Sequence, residues 1–442
     1  MSPALRIFDS PREARAILER RSPDEIVLPS EVQNRLETLF GPGTDAAGAV
    51  RRIVRDVRTR GDAALFEWCR TLDGPDAVPV ELGRRDFDAA VWRIPPALRD
   101  AMEYAAGRIR AYHRARPMSS LLAGDASGIL GRLETPLSRV GIYVPGGGAP
   151  LFSTLLMSAI PAECAGVGEV IVCTPPSRGG SVPDAVLAAA SLSGVSRLFS
   201  CGGAQAVAAM AFGTRTIPSV DKIVGPGNIF VTLAKREVFG AVGIDGLHGP
   251  SELMVIADSS ADPRLLAADL LAQAEHDEMA SAVLLTNDSE LASRAAIEVE
   301  AGLESLPRRK TAEESLRSRG GAVILGSIEE ALAVASAFAP EHLQLSVSDP
   351  WPLIGMTGPA GAVFVGEKSC EVLGDYVAGP SHTLPTGGTA RFSSGLGVGD
   401  FLRSTSLVAV SPLDGPAEAA AVMARAEGLE AHARSAEARR GP

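Results

Sequence analysis

Apolar positions fall at two different spacings along the chain, and the change from one to the other divides it. Up to about residue 120 they recur every three or four residues, the period of helices with one buried face. Within 44–70, Val50, Ile53, Val54, Val57, Leu65 and Phe66 form such a stripe, and a second helical stretch over 87–114 is interrupted by Pro95-Pro96. Ser10-Pro11 and Ser22-Pro23 read as helix starts. Trp68 and Trp92 are expected in the core, and His113, set among arginines, on a solvated surface.

From Val140 the texture changes to short β-branched runs, each closed by glycines and followed by a helix. VGIYVP leads to Gly146-Gly147-Gly148 and a helix from about Ser153. EVIVCTPP follows, then RLFSCGGAQAVAAMAFG and DKIVGPGNIFVTLAKREV. This alternation predicts a parallel sheet with helices on its faces and ligands at the carboxyl ends of the strands. The usual dinucleotide fingerprint is absent, because Leu151 stands where the third glycine is needed and the second strand ends in Cys173-Thr174-Pro175 without an acidic residue. A nucleotide would have to be held by another arrangement, with Tyr143, Gln205 and Asn228 displayed at three glycine turns. The alternative for each is a turn or cap residue.

A second α/β series begins near Ile244, with strands LMVIAD, ASAVLLTND, GAVILG, HLQLSV and GAVFVG. Its first helix, 261–276, opens on Asp262-Pro263, carries Leu265, Leu266, Leu270 and Leu271 as an apolar stripe, and ends with Gln273 and His276 on one face. Those two are candidate metal ligands; a satisfied, partly buried histidine is the alternative. The helix 327–339 is stopped by Pro340, after which Glu341 and His342 stand together. The passage 374–394 is too long and too polar for a plain linker. A last helix is expected from about Pro416 to Arg440, containing Glu427 and His432.

Composition narrows the function classes. With 42 basic and 53 acidic residues the net charge is −11, and no long basic run suggests nucleic acid or an anionic membrane. The charge-free run 140–162 is broken by Pro145, three glycines, Pro150 and Pro161, so it does not read as a membrane span. The charged start lacks a secretory signal pattern. Five cysteines without CxxC spacing point to a reducing, cytoplasmic setting. Of six histidines, His276, His342, His382 and His432 lie at element ends or in the polar passage near Glu, Asp or Gln, which suits a metal or acid/base site. His248, beside Gly249-Pro250-Ser251, reads as a turn residue.

Taken together, RVGIYVPGGGAPLFSTLLMSAIPA, GGAQAVAAMAFGT, DKIVGPGNIFVTLAKR, GPSELMVIAD, DLLAQAEH, APEHLQL and GDYVAGPSHTLPTGGTARFSS resemble the successive signature blocks of the histidinol dehydrogenase family, in order, over roughly 30–435. The resemblance implies oxidation of L-histidinol to L-histidine through the aldehyde, with NAD as oxidant and a zinc ion in each site. It implies Gln273, His276, Asp375 and His432 as zinc ligands, His342 as the base for the alcohol and Glu341 as the group that activates water. Tyr143, Gln205 and Asn228 would contact NAD; Ser251, His382 and Glu427, with Ser153 as a further candidate, would hold the substrate. Substrate contact is also expected of Gln273, His276, His342, Asp375 and His432.

The fold expected is α/β, with two Rossmann-like parallel-sheet domains lacking the usual fingerprint and helical N- and C-terminal extensions. The boundaries are 1–30 for the first extension, 31–139 plus 252–394 for a discontinuous catalytic domain, 140–251 for the NAD domain, and 395–442 for a tail reaching the partner of a homodimer. His248 and Gly246 depart from the family pattern close to Ser251. A paralogue using the same machinery on another polar alcohol or diol is the rival enzyme. A binding protein without turnover is disfavoured by the presence of both Glu341 and His342, and a zinc hydrolase would leave the glycine turns without a role.

Overall fold

The computed structural model describes residues 4–20, 28–115, 119–125, 128–146, 151–177, 180–410 and 414–440. Ser22-Pro23 and two of the first three turn glycines, Gly147 and Gly148, lie outside them. The chain divides into two compact units, Met1–Ala115 with Ser138–Phe401, and Arg116–Leu137 with Leu402–Pro442.

The larger unit holds two six-stranded sheets. In one, the parallel strands Arg139–Tyr143, Glu169–Thr174, Arg197–Ser200, Lys222–Val224 and Gly243–Ile244 run in spatial order 3-2-1-4-5, with Glu81–Leu82 added antiparallel beside the third. In the other, Glu252–Ala257, Ser281–Thr286, Gly321–Ile324, His342–Ser346 and Ala362–Val365 repeat that order, with Ile7–Phe8 parallel at the edge. Both are doubly wound α/β sheets, as the alternation predicts. Glu252–Ala257 and Ser281–Thr286 are buried at every position, as strands covered on both faces must be.

Several expectations need correction. The helices Ala46–Arg60 and Asp62–Leu72, separated at Gly61 where φ is +59°, bury Val50, Ile53, Val54, Val57 and Leu65 in one core with Tyr143, Ile171 and Phe199. They therefore belong with the 139–244 sheet and not with the 252–365 strands, because their apolar stripe fits the helices of that layer. Residues 4–20 also pack on a sheet: Leu5, Ala14 and Ile17 are buried in the cores of the 252–365 strands. Trp92 is 78% exposed under the Arg99 guanidinium, while Trp68 is buried and stacked on Phe40. His113 is buried, edge-on to Tyr112, on the inner face of the helix Pro96–Arg114. Leu265 is exposed, which leaves Leu266, Leu270 and Leu271 as the buried stripe.

The smaller unit corrects the helical tail. Leu402–Val410 is a strand, paired antiparallel with Gly128–Pro136, which pairs with Leu121–Asp125. Thr405, Val408 and Val410 are the β-favouring residues in it. The helices Asp414–Ala426 and Glu430–Glu437 follow, parted at Gly428 where φ is +77°. Arg425 bridges them through Glu430 and Glu437. Among the described residues no helix is long and apolar enough to cross a membrane.

Candidate active site

The strands Glu252–Ala257 and His342–Ser346 lie side by side with Leu253 opposite His342, so Glu252, Glu341 and His342 meet at their amino ends. The carboxyl-end expectation belongs to the 139–244 sheet; in this sheet the candidate residues stand at the amino edge. That edge has an electrostatic character of its own. In a parallel α/β sheet the connecting helices end at the amino edge, and the helices Pro263–Ala274 and Ile328–Phe338 bring their negative dipole ends there. Such an edge favours cations.

Glu341 and His342 are both buried. The Glu341 carboxylate accepts from the Glu252 amide at 2.9 Å, and burial pushes its pKa well up, against the Glu252 amide and the Ser251 hydroxyl, which favour the ionised form. The His342 Nδ1 sits 3.0 Å from the Glu252 carbonyl oxygen, which fixes the proton on Nδ1 and leaves Nε2 as the basic nitrogen. Burial pushes the imidazole down to about 3, so it is neutral near pH 7. Its Nε2 is buried without a hydrogen-bond partner, 3.9 Å from an Asp375 oxygen.

Around that nitrogen gathers a ligand set. Asp262 caps the helix Pro263–Ala274, as its sequence predicts, and the far end delivers Gln273 and His276. Gln273 is fully buried, yet neither its amide oxygen nor its nitrogen has a partner. His276, 45% exposed at the opening, places Nε2 4.0 Å from Asp375. His276, Asp375 and Glu371 offer ligand atoms that lie within 4.8 Å of one another. Glu371 escaped the sequence reading. It and Asp375 are four apart on the short helix Glu371–Tyr376, hence on one face, whereas the segment had read as the start of a polar loop. Burial pushes Asp375 up to about 7 and Glu371 well above its usual range, the latter also through Asp375 and Glu341. On the same strand face as His342, Gln344 donates to Asp269 at 2.7 Å and to Ser346 at 3.1 Å. Burial raises Asp269 to about 6.

His382 closes another side. Its Nδ1 meets the Asp375 carbonyl oxygen at 2.8 Å and its Nε2 the Thr154 hydroxyl at 3.2 Å, with burial pushing it down to about 4. Ser153 is the neighbour of Thr154 in the first turn of Phe152–Ala165, and Ser251 precedes Glu252.

The glycine turns stand at the carboxyl ends of the other sheet, where the order 3-2-1-4-5 reverses between the strands ending at Tyr143 and Val224. A Cβ on Gly225, whose φ is +107°, would lie 2.2 Å from the Tyr143 carbonyl oxygen, so only glycine fits this crossing. Tyr143 is buried and its hydroxyl accepts from the Gly203 amide at 3.0 Å. Gln205 is buried, donates to Asp73 at 3.2 Å and keeps an unpartnered amide oxygen. Asn228 caps Ile229–Val238, accepting from Phe230 and Val231. His248 carries a buried Nδ1 without a partner, its carbonyl oxygen accepts from the Thr232 hydroxyl, and it lies in an irregular connection and not in a turn.

Beneath the Gly225 turn, Lys235 is buried and donates to the Gly225 carbonyl and to Asp245, which in turn accepts from the Gly225 amide at 2.7 Å. Burial pushes the Asp245 carboxyl up, but the Lys235 ammonium, with His248 and the Gly225 amide, outweighs this and holds it below its ordinary value. Lys235→Met should therefore destabilise the protein by about 3–5 kcal/mol, read from urea unfolding, because it strands a buried carboxylate. A loss below about 1 kcal/mol would mean that the pair does not hold the turn.

Glu427 and His432 belong to the smaller unit. Both are exposed, Glu427 at the turn before Gly428 and His432 in Glu430–Glu437.

The family model for histidinol dehydrogenase matches residues 42–440. The chain is 50% identical to histidinol dehydrogenase of Deinococcus radiodurans over 431 residues, 97% of this chain and 98% of that one. It is 52% identical to that of Thermus thermophilus over 396 residues, 88% and 94% of the two. The crystal structure of histidinol dehydrogenase from Elizabethkingia anophelis superposes with a TM-score of 0.90 at 33% identity, covering 99% of this chain and 98% of that one.

Proposed function

Because the chain belongs to the histidinol dehydrogenase family of oxidoreductases, we propose that it oxidises L-histidinol to L-histidine through L-histidinaldehyde. Two successive NAD-dependent steps with zinc in the site would close histidine biosynthesis in the cytoplasm. One observation carries the reading: a neutral, buried His342 keeps Nε2 unpartnered 3.9 Å from Asp375, and Gln273, on the helix that leads to His276, buries an amide with neither atom bonded. A buried amide with neither atom bonded is costly unless something else meets it.

The residues fit zinc. Gln273, His276 and Asp375, with His432 supplied by the neighbouring subunit, would make an oxygen and nitrogen set that suits it, and Glu371 stands in one group with His276 and Asp375. The ion would supply a fixed point for the imidazole and amine of the substrate. NAD would lie along the carboxyl ends of the 139–244 sheet, near the switch point between the strands ending at Tyr143 and Val224, with Tyr143, Gln205 and Asn228 as its contacts, and would accept hydride.

The chain's own groups divide the work. His342, neutral and with its free nitrogen facing the site, removes the hydroxyl proton as hydride leaves. Glu341, once ionised, takes a proton from water attacking the aldehyde. Ser251, His382 and Glu427, with Ser153 beside them, orient the polar substrate. Cys173 and Cys201 take no part: both are buried, burial raises the Cys173 thiol, and the contact with Cys69 together with burial raises that of Cys201.

A homodimer is part of this reading, with Glu427 and His432 completing the neighbour's site. What supports it is the smaller unit, where Leu121, Leu122, Leu130, Val408, Val422 and Met423 are exposed apolar side chains that a partner subunit would cover.

The test is turnover with L-histidinol: about two NADH per histidine, since an alcohol-to-acid oxidation gives up two hydrides, abolished by chelation and restored by zinc. NADH from another diol but none from histidinol would move the assignment to a paralogue. A second readout needs no turnover. Asp375 keeps its proton in the folded protein to about pH 7, while the unfolded chain releases it near the ordinary 3.8. Stability of the metal-stripped protein should therefore fall as pH rises between those values. Zinc should remove that fall, and an unchanged slope of melting temperature with pH on adding zinc would count against Asp375 as a ligand.

A further inference from the structure

We propose that Arg20 is a positioning residue for the Glu341-His342 pair and acts through Glu252, a role that rests on the catalytic reading of that pair given above. Arg20 lies in a stretch that reads as an N-terminal appendage, 232 residues from Glu252. Its guanidinium nevertheless reaches the amino edge of the sheet and forks onto the Glu252 carboxylate, Nη1 to Oε1 and Nη2 to Oε2, the latter at 3.0 Å. The planar fork matches a carboxylate in a way that a lysine cannot.

Most remaining contacts of the two groups meet the backbone just before or at the catalytic pair. Arg20 Nε donates to the Phe338 carbonyl at 2.8 Å, and Nη2 donates to Phe338 and Ala339 at 2.6 and 3.1 Å. These are the last carbonyls of the helix Ile328–Phe338, which otherwise go unpaired. The guanidinium also lies 3.9 Å over the Phe338 ring. Ala339 has φ +51°, and among the described residues it is the one non-glycine with positive φ. That strained corner comes three residues before His342 and persists only where its surroundings hold it.

Glu252 takes up the other side of the corner. Its carboxylate accepts from the Glu341 amide at 3.3 Å and the Gly387 amide at 3.2 Å. Its own amide donates to the Glu341 carboxylate, and its carbonyl fixes the His342 Nδ1 proton. Arg20 thus clamps the helix end before the pair and the strand residue that orients both members. Gly388 is part of the arrangement: a Cβ there would stand 2.8 Å from Arg20 Nε.

The experiment is kinetics on Arg20→Ala, Arg20→Lys, Glu252→Gln and the double variant Arg20→Ala/Glu252→Gln, beside Glu341→Gln and His342→Asn. A displaced pair should cost Arg20→Ala about 30- to 100-fold in kcat, with KM for both substrates within about twofold. Added guanidinium ion should restore part of the rate, and the double variant should be no slower than the slower single one, as for two residues acting as one unit. Arg20→Lys keeps the charge without the fork and should lose about five- to tenfold; it decides the matter if Arg20→Ala does not fold. Wild-type kcat in Arg20→Lys, or losses that multiply in the double variant, would overturn the proposal. If Glu341→Gln and His342→Asn themselves keep full turnover, the catalytic reading fails instead, and the two failures are told apart.

Discussion

Replacing His342 by asparagine should lower turnover with histidinol about 1,000- to 10,000-fold, at the upper end of what a positioned base contributes. Replacing Glu341 by glutamine should produce a different defect. On the proposed reading the first oxidation takes a proton from the substrate hydroxyl, and His342 would receive it, being buried, neutral and with its Nδ1 proton committed to the Glu252 carbonyl. In the second the proton would leave water, and a carboxylate would serve. Glu341→Gln should then form the first NADH at close to the normal rate and lose the aldehyde step about 100- to 1,000-fold. Single-turnover NADH traces started from histidinol and, separately, from histidinaldehyde resolve the two. Equal losses at both steps in both variants would sink the division of labour.

The pH dependence follows from the same burial. His342, pushed down to about 3, stays neutral across the working range and contributes no acid limb there. Glu341 is pushed above the carboxylate range, so it must shed a proton before it can act. The aldehyde step should accelerate as pH rises past the ordinary carboxylate pKa, and Glu341→Gln should flatten that rise.

How much of this was legible beforehand varies with how local each signal is. Both parallel sheets were, because a buried strand, a glycine turn and a helix are each written in consecutive residues. So was the cap at Asp262, a single dipeptide. Glu371 was not: its meaning depends on a helix of six residues, Glu371–Tyr376, too short to show a period, that sets it one turn from Asp375. Arg20 was invisible for the opposite reason, since its partner is Glu252 at the far side of the chain. The grouping of 46–72 with the 139–244 sheet also escaped, because an apolar stripe shows that a helix packs and leaves open what it packs against. Of Tyr143, Gln205 and Asn228, the first accepts from the turn amide of Gly203, the second donates to Asp73 and the third caps its helix, so turn and cap roles account for Tyr143 and Asn228, and contact with NAD stays a proposal for all three.

The placement of the site at the amino edge of its sheet joins several of these observations. Helix ends with negative dipoles, together with Glu341, Glu371, Asp375 and Asp269, leave a buried region short of positive charge. Carboxyl groups crowded there hold protons until a cation arrives, which is the direction in which all four are shifted. A doubly charged ion and an ammonium-bearing substrate answer that deficit, whereas a neutral diol would answer less of it. That is the electrostatic argument for histidinol over the rival alcohol substrates.

Mixing two inactive variants should restore activity if the tail serves a neighbouring subunit. His342→Asn removes the base of its own site, and His432→Asn removes a ligand that the dimer reading assigns to the other site. In a heterodimer of the two, one site collects both defects and the other collects neither. Random reassociation gives half heterodimers with one intact site in two, so recovery should approach about a quarter of the wild-type rate, as two-fold symmetry requires. The same mixture with His342→Asn and His276→Asn should restore nothing, since both residues lie in the larger unit of one chain and each site then keeps a defect. Dimers verified by mass in both mixtures, with no recovery in the first, would return Glu427 and His432 to their own subunit's site or to none. Recovery near a quarter, confined to the pair that includes the tail variant, establishes a shared site.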